Sequence, residues 1–460
     1  MQGAPDCRAS MVSRQVPWCS LRGVRVPPTP HPRIERRAVL LGGAAGVIGC
    51  STPSVEPEPE PVVEEQAERA PQFAELEDAR GRYEPIRPAE RAARRARLGK
   101  ILAGSGIDAF VCEGGPTLTY LAGISWGRSE RLFTLVVLAD GSHFWLCPAF
   151  EQGKAELTIG AKDGPGGPIV AWQEHEYAFA PLASALQERN VLSVALDPGT
   201  RLFAAEGLRA ELGNERVMSG GRTLLALRGK KEPHELELLR AANELTQRAL
   251  VAVAERVTPG MSGGDVSELV GAAQRRLGLQ RTWALCLVGP AAAYPHGSGD
   301  ETRLAPGDFV LVDTGGSFHD YQSDISRTWS VGGSPSDRAA RIWHAVRDAQ
   351  QRAFEAIRPG VKCSEIDRVA RAVIESAGFG RGYEHFTHRL GHGIGLEGHE
   401  DPYFDGGSAV VLEPGMTLSD EPGLYFPGEL GVRLEDIVCV TADGADHFGE
   451  WQTRPESPGP

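Results

Sequence analysis

One segment of this chain occurs twice, at an offset of 100 residues. Pro259-Gly260 answers to Pro359-Gly360, Asp265 to Glu365, Val266 to Ile366, Leu269 to Val369, Ala273 to Val373 and Gly278 to Gly378. In each copy a helical pattern ends at Pro-Gly, a second runs to the final glycine, and strand-like runs follow. A period of this length is too long for a solenoid and marks duplication of a whole αβ half. The second part of the chain is therefore expected to be an α+β domain of two halves related by a pseudo-twofold.

Each half carries an acidic hairpin. Residues 309–331, FVLVDTGGSFHDYQSDISRTWSV, read as two strands turning about Phe318 and His319, which makes Asp313 and Asp324 cross-strand neighbours on one face. Residues 416–440, MTLSDEPGLYFPGELGVRLEDIVCV, turn at Pro427-Gly428, with Glu421 and Glu435 seven residues either side of Gly428. A single Asp beside Gly315 and Gly316 is ordinarily turn chemistry. Two opposed acid pairs in one domain are not. Carboxylates held that close repel unless a proton or a cation lies between them, so the pattern indicates a carboxylate-lined metal site to which each half gives one pair.

Between the hairpins lies THRLGHGIGLEGHE, residues 387–400, with His388, His392 and His399. Glycine at every second or third position excludes a regular helix and favours a tight loop or bulged strand. One of these histidines reads as a ligand and the others as groups that hydrogen-bond the reacting species. His296, in YPHG after the strand 282–287, is a fourth candidate.

The remainder of the chain fixes the setting. At 460 residues it exceeds one domain, and its net charge of −13 conceals a basic start. Residues 1–49 hold seven Arg against Asp6 and Glu35, or +5, leaving about −18 for the rest, which argues against a nucleic-acid partner. Arg36-Arg37 before the small apolar run Ala38–Gly49 resembles a Tat signal, which exports folded proteins, and Val47-Ile48-Gly49-Cys50 resembles a lipobox whose cysteine becomes lipidated. Residues 51–87 are expected to be a Pro/Glu-rich linker after that 1–50 signal. Alternating strand and helix patterns over 88–229 give an α/β domain, in which Trp126, Arg128 and Arg131 are expected in a solvated loop. Lys230-Lys231-Glu232-Pro233 opens a long helix and the 230–452 domain, with a tail at 453–460. Cys112, Cys147, Cys286, Cys363 and Cys439 have no metal-type spacing and sit in apolar runs, as core thiols do.

Residues 232–450 resemble the pita-bread metallopeptidases (aminopeptidase P, prolidase and creatinase-type relatives), and the preceding α/β domain resembles their creatinase-like N-terminal domain. The resemblance implies that Asp313, Asp324, His392, Glu421 and Glu435 hold two divalent ions, manganese first and cobalt or zinc as alternatives, with Asp324 and Glu435 bridging. It makes Glu421 the acid that also handles the water proton. His296 and His399 would donate to the tetrahedral species or leaving group; with His388 and Arg433 they would bind substrate. Asp420, beside Glu421, departs from the family pattern and adds an acid there. The implied reaction is hydrolysis of Xaa-Pro peptides by metal-bound hydroxide, removing an N-terminal residue. A metal-dependent amidohydrolase of a non-peptide C–N bond and a non-catalytic peptide-binding homologue are the alternatives. The expected assembly is a homodimer, exported to the periplasm or cell envelope and touching a membrane only through a lipid at Cys50. Replacing Arg36 and Arg37 together by Lys should hold the protein in the cytoplasm; fractionation that finds export and metal content unchanged removes the Tat reading.

Overall fold

The computed structural model describes residues 72–299 and 302–460. The twin arginine, Cys50 and the first part of the linker lie outside the described residues. Among the described residues no helix is long and apolar enough to cross a membrane.

Residues 88–228 build a six-stranded sheet from β1 (Ala109–Glu113), β2 (Thr134–Leu138), β3 (His143–Pro148), β4 (Ile169–Trp172), β5 (Val194–Leu196) and β6 (Val217–Ser219), ordered β4-β3-β2-β1-β5-β6. β1, β5 and β6 run parallel, and β2 is antiparallel to both of its neighbours. The helices are α1 (Pro88–Ser105), α2 (Pro116–Ala122), α3 (Gln152–Ile159), α4 (Phe179–Glu188), α5 (Leu202–Leu212) and α6 (Gly221–Arg228). Period-two alternation sorts β1 between two cores. Ala109 and Val111 meet α4 and α5 through Leu182 and Leu208; Phe110 and Cys112 meet α1 and α2 through Leu98 and Leu121. Trp126 is not solvated as expected: it is buried and stacked on Phe133, with ring centroids 4.0 Å apart.

The duplication is visible in three dimensions. The first half pairs α7 (Pro233–Ala254) and α8 (Gly263–Arg276) with β7 (Gln280–Val288), β8 (Phe309–Phe318), β9 (Tyr321–Gln322) and β10 (Ile325–Ser330). The second pairs α9 (Asp337–Ala356) and α10 (Cys363–Ser376) with β11 (Gly391–Gly393), β12 (Glu400–Phe404), β13 (Thr417–Asp420), β14 (Gly423–Phe426), β15 (Leu430–Arg433), β16 (Asp436–Val440) and β17 (Ala445–His447). Each helix pair covers its own strands: Leu238, Val266 and Val270 pack with Val310 and Val312, and Trp343, Val346 and Ile366 pack with Leu418 and Val438. The Pro-Gly turns repeat in detail. Gly260 and Gly360 adopt φ of 93° and 88° and donate to Leu304 O at 2.7 Å and Leu412 O at 2.9 Å. Left-handed backbone of this kind is open to glycine at little cost, which is why both copies keep it.

Two ends of the expected layout need correction. Residues 72–87, assigned to the solvated linker, are packed: Phe73, Leu76, Ala79 and Ile86 join the core of the first half, and Ala79 N donates to Leu277 O at 3.0 Å. Apolar residues at 73, 76 and 79 carry a threefold spacing that the Pro/Glu bias of 51–70 obscured. The 453–460 tail is likewise held, by Ser330 N on Pro455 O at 2.8 Å and Arg327 Nε on Pro458 O at 3.2 Å. Phe73 is 2 % exposed with the Arg256 guanidinium 4.4 Å above its ring. Phe73→Ala should therefore lower unfolding stability by about 3 kcal/mol in a denaturant titration; a loss under about 1 kcal/mol would mean the segment rests on the surface without contributing.

Candidate metal centre

The two acidic hairpins close on each other as the duplication requires. In the second, Gly423↔Arg433 and Thr417↔Cys439 set a register centred on Gly428, so Glu421 and Glu435 face one another where the strands break between β13 and β14 and between β15 and β16. In the first, the turn is His319-Asp320, both with positive φ (46° and 75°), one residue later than the sequence suggested. His and Asp are among the residues that tolerate this left-handed backbone. The pairing slips by two, so Asp313 lies opposite Ser326 and diagonal to Asp324. A slip of two keeps side chains on the same face. His392 comes in on β11, where a Cβ on Gly391 would sit 1.9 Å from Ser419 O; only glycine lets this strand lie so close to β13.

The five side chains meet. His392 Nε2 lies 3.4 Å from Glu421 Oε1, 3.6 Å from Asp324 Oδ2 and 3.8 Å from Glu435 Oε1. Asp313, Asp324 and Glu435 form a second group, and Asp324, His392 and His399 a third, each with ligand atoms within 4.8 Å of one another. Among the described residues, Asp313 Oδ1 and Glu435 Oε1 are buried with no hydrogen-bond partner, a state native proteins rarely leave uncompensated. His392 Nδ1 lies 3.1 Å from Gly393 O, so this nitrogen carries the proton and Nε2 turns its lone pair toward the acids. Burial and the neighbouring His399 hold the His392 pKa down to about 3, so the ring is neutral. Four carboxylates and one neutral imidazole, two of the oxygens unpartnered, fit hard divalent cations.

The acids are electrostatically uneasy without such cations. Burial, then Asp313 and Glu421, raise Asp324 well above the usual carboxylate range; burial, then Asp324, do the same to Glu435. Burial pushes Glu421 up to about 8 against the pull of Arg433. Arg433 is the expected positive neighbour: its Nη2 donates to Asp313 Oδ2 at 2.7 Å and its Nε to Ser326 Oγ at 2.9 Å.

The remaining expected residues line the same cavity, of about 760 Å³, which also exposes Trp283, Tyr294 and Arg389. His399 stacks on His392 with ring centroids 3.6 Å apart. His388 donates from Nδ1 to Arg389 O at 2.7 Å, which leaves Nε2 to accept from Tyr425 OH at 2.9 Å. Tyr425 OH in turn accepts from Arg433 Nη1 at 2.8 Å, so a chain of hydrogen bonds joins Asp313 to His388. His296 lies on the wall beside Pro295.

Several participants went unrecognised in the sequence. Ser326 Oγ donates to Glu435 Oε2 at 2.8 Å, Ser419 Oγ to Glu421 Oε1 at 3.1 Å, and Asn243 Oδ1 accepts from Asp324 N at 3.1 Å. Both serines stand two residues from an acid of the cavity, a same-face spacing that could have exposed them. Asp420 is not where its neighbour suggested. It points to the opposite face, away from the cavity, and burial raises its carboxyl well above the usual range, with Asp436 adding to the shift. It does not line the cavity.

The sequence matches the model of Metallopeptidase family M24 over residues 237–442 and that of the Creatinase/Prolidase N-terminal domain over 94–230. It is 37 % identical over 357 residues to the probable dipeptidase PepE of Mycobacterium tuberculosis, covering 77 % of this chain and 93 % of that protein. The chain belongs to metallopeptidase family M24. The Xaa-Pro dipeptidase of Lactobacillus delbrueckii subsp. lactis is 34 % identical over 359 residues, 76 % of this chain and 95 % of its own. Among solved structures, dipeptidase PepE from Mycobacterium ulcerans superposes with a TM-score of 0.74 at 32 % identity, covering 81 % of this chain and 99 % of that one. The Xaa-Pro dipeptidase from Bacillus anthracis gives 0.68 at 28 % identity, covering 80 % and 99 %. The architecture is thus the creatinase-type N-terminal domain followed by the pita-bread M24 fold.

The raised carboxyls predict a pH dependence. Their folded pKa values exceed the unfolded ones, so their contribution to stability is full below the ordinary carboxylate range and is lost as pH rises, through about 8 for Glu421. Chelator-stripped protein should lose melting temperature between about pH 5 and pH 8, and manganese should restore it by a margin that widens with pH. Calorimetry in two buffers of different ionisation heat should show protons released on binding. A margin that is flat in pH would contradict the raised values.

Proposed function

We propose that this protein is a dinuclear metallopeptidase that removes the N-terminal residue from short Xaa-Pro peptides. The observation that carries the reading is the convergence of Asp313, Asp324, His392, Glu421 and Glu435 on one cavity, with buried carboxylate oxygens left unpartnered. The substrate class comes from relatives named Xaa-Pro dipeptidase. Two divalent ions, manganese by the hardness of the donor set, would supply a water acidic enough to lose its proton near neutral pH and positive charge for an oxyanion.

The chain's own groups divide the remaining work. Glu421 lines the cavity beside the other acids, placed to take up the water's proton and surrender it again. Ser419 fixes the carboxylate that does so. His399 and His296 stand on the wall where a tetrahedral species or the departing nitrogen needs a donor. The departing proline nitrogen, like any amide nitrogen, must collect a proton, and having no N–H in the substrate it cannot be recognised by strand pairing. Arg433 holds Asp313 and Tyr425, and Tyr425 holds His388, so the substrate-facing histidine and a metal acid keep a fixed relation. Trp283 and Tyr294 are 40 % and 43 % exposed on the cavity wall, an apolar surface for a peptide side chain or ring.

Purified protein loaded with manganese should hydrolyse Ala-Pro, and comparison with Ala-Pro-Ala separates a dipeptidase from an aminopeptidase. Asp313→Ala should cut kcat/KM by at least roughly a thousandfold and lower bound metal. Metal bound with cleavage of neither peptide would redirect the reading to an amidohydrolase. Undiminished peptide binding with no turnover in the wild type would redirect it to a binding module.

A further inference from the structure

His399 has an unusual support. Among the described residues no hydrogen bond reaches its ring nitrogens; the ring is held by its stack on His392 and by the backbone that carries it. That backbone is the loop between Gly393 and Glu400, which pair across a bulge in the β11–β12 ladder. One arm of the loop is clipped to the first acidic hairpin, by Gln322 N on Gly395 O at 2.9 Å and Gln322 Nε2 on Leu396 O at 3.2 Å. The other arm, which includes His399, is gripped from the first domain.

The grip is Arg228, the last residue of α6, which is 5 % exposed. Its Nη2 donates to Glu397 Oε2 at 2.8 Å and also to Glu400 Oε2, while Nη1 donates to Thr117 Oγ1 at 3.1 Å. Lys231 Nζ approaches the other oxygen of Glu400 at 2.9 Å. A Cβ on Gly395 would lie 2.6 Å from Glu400 Oε1, so the glycine makes room for this carboxylate under the loop. Glu397 and Glu400 bracket His399, and one guanidinium fixes both. Nη2 spends its protons on the two carboxylates while Nη1 reaches Thr117, three contacts from one rigid planar group. The same residues wall a second cavity of about 320 Å³ that meets the metal cavity at His399.

We propose that Arg228 is a positioning residue through which the first domain sets His399 over the metal cavity. Its consequence for catalysis rests on the peptidase reading above; its geometry does not. Simple domain glue is supplied elsewhere, by Arg94 with Glu232 at 3.2 Å and with Tyr321 OH at 3.1 Å. Arg228 differs in that both of its carboxylate partners flank a candidate catalytic histidine.

The test uses the full chain loaded with manganese and the variants Arg228→Gln and Arg228→Lys, each with and without His399→Ala. Hydrogen exchange should quicken in residues 397–400, the arm that Arg228 holds, and stay unchanged in β8 and β10, with metal content unaltered. On Ala-Pro, Arg228→Gln should lower kcat by roughly tenfold to a hundredfold with KM held within about twofold. Arg228→Lys should recover part of the loss, and it carries the test if the Gln variant does not fold. In the His399→Ala background the Arg228 change should add little further loss. Unchanged loop exchange, loss of metal, or the same loss of kcat with and without His399 would each overturn the proposal. A wild type that cleaves no Xaa-Pro peptide sinks the substrate reading instead, and loop exchange then decides the clamp by itself.

Discussion

Four carboxylates crowded into one buried cavity are the constraint around which this molecule is built. Two unit charges 4 Å apart repel by about 4 kcal/mol at an effective dielectric of 20, and each acid here faces more than one other. Arg433 offsets part of this through Asp313, while burial first and the neighbouring acids second still raise Asp324 and Glu435 well above the usual carboxylate range. A cluster of this kind cannot arise from loops that are free to relax apart. It needs rigid strands on both sides, and the duplicated half supplies them: one hairpin from each copy, with a helix pair bracing each.

Much of this was legible because hairpin geometry is periodic. Symmetry about Gly428 placed Glu421 opposite Glu435, and the structure has that register. The first hairpin turns at His319-Asp320, where no glycine advertises the left-handed backbone, and the assumed pairing of Asp313 with Asp324 became a diagonal one. The difference leaves the site intact because a shift of two preserves the face; a shift of one would have put Asp313 and Asp324 on opposite faces. What stayed hidden were partners whose chemistry is generic. Ser326, Ser419 and Asn243 look like any polar residue in a strand or helix until tertiary contacts put them on Glu435, Glu421 and Asp324. The packed segment 72–87 was missed for a different reason, because compositional bias in its neighbour outweighed the spacing of its few apolar residues.

The opposite face of the same strands meets the same electrostatic problem with another solution. Asp420 and Asp436 pair directly across β13 and β16, one position from Glu421 and Glu435, and alternation turns them toward α9. Arg327 Nη2 donates to Asp436 Oδ1 at 2.6 Å and Gln350 Nε2 to Asp436 Oδ2 at 3.1 Å, so that acid is satisfied by the protein's own donors. Among the described residues no hydrogen bond reaches the Asp420 carboxyl, and burial, with Asp436 beside it, raises it well above the usual carboxylate range. The sheet therefore separates two acid pairs by one residue step: a buried pair with an internal guanidinium on Asp436, and a pair that lines an open cavity. Replacing the first with apolar residues would change packing, whereas replacing the second would remove the reason for the cavity. Their difference in partners, rather than in residue type, is what marks Glu421 and Glu435 as the chemical face.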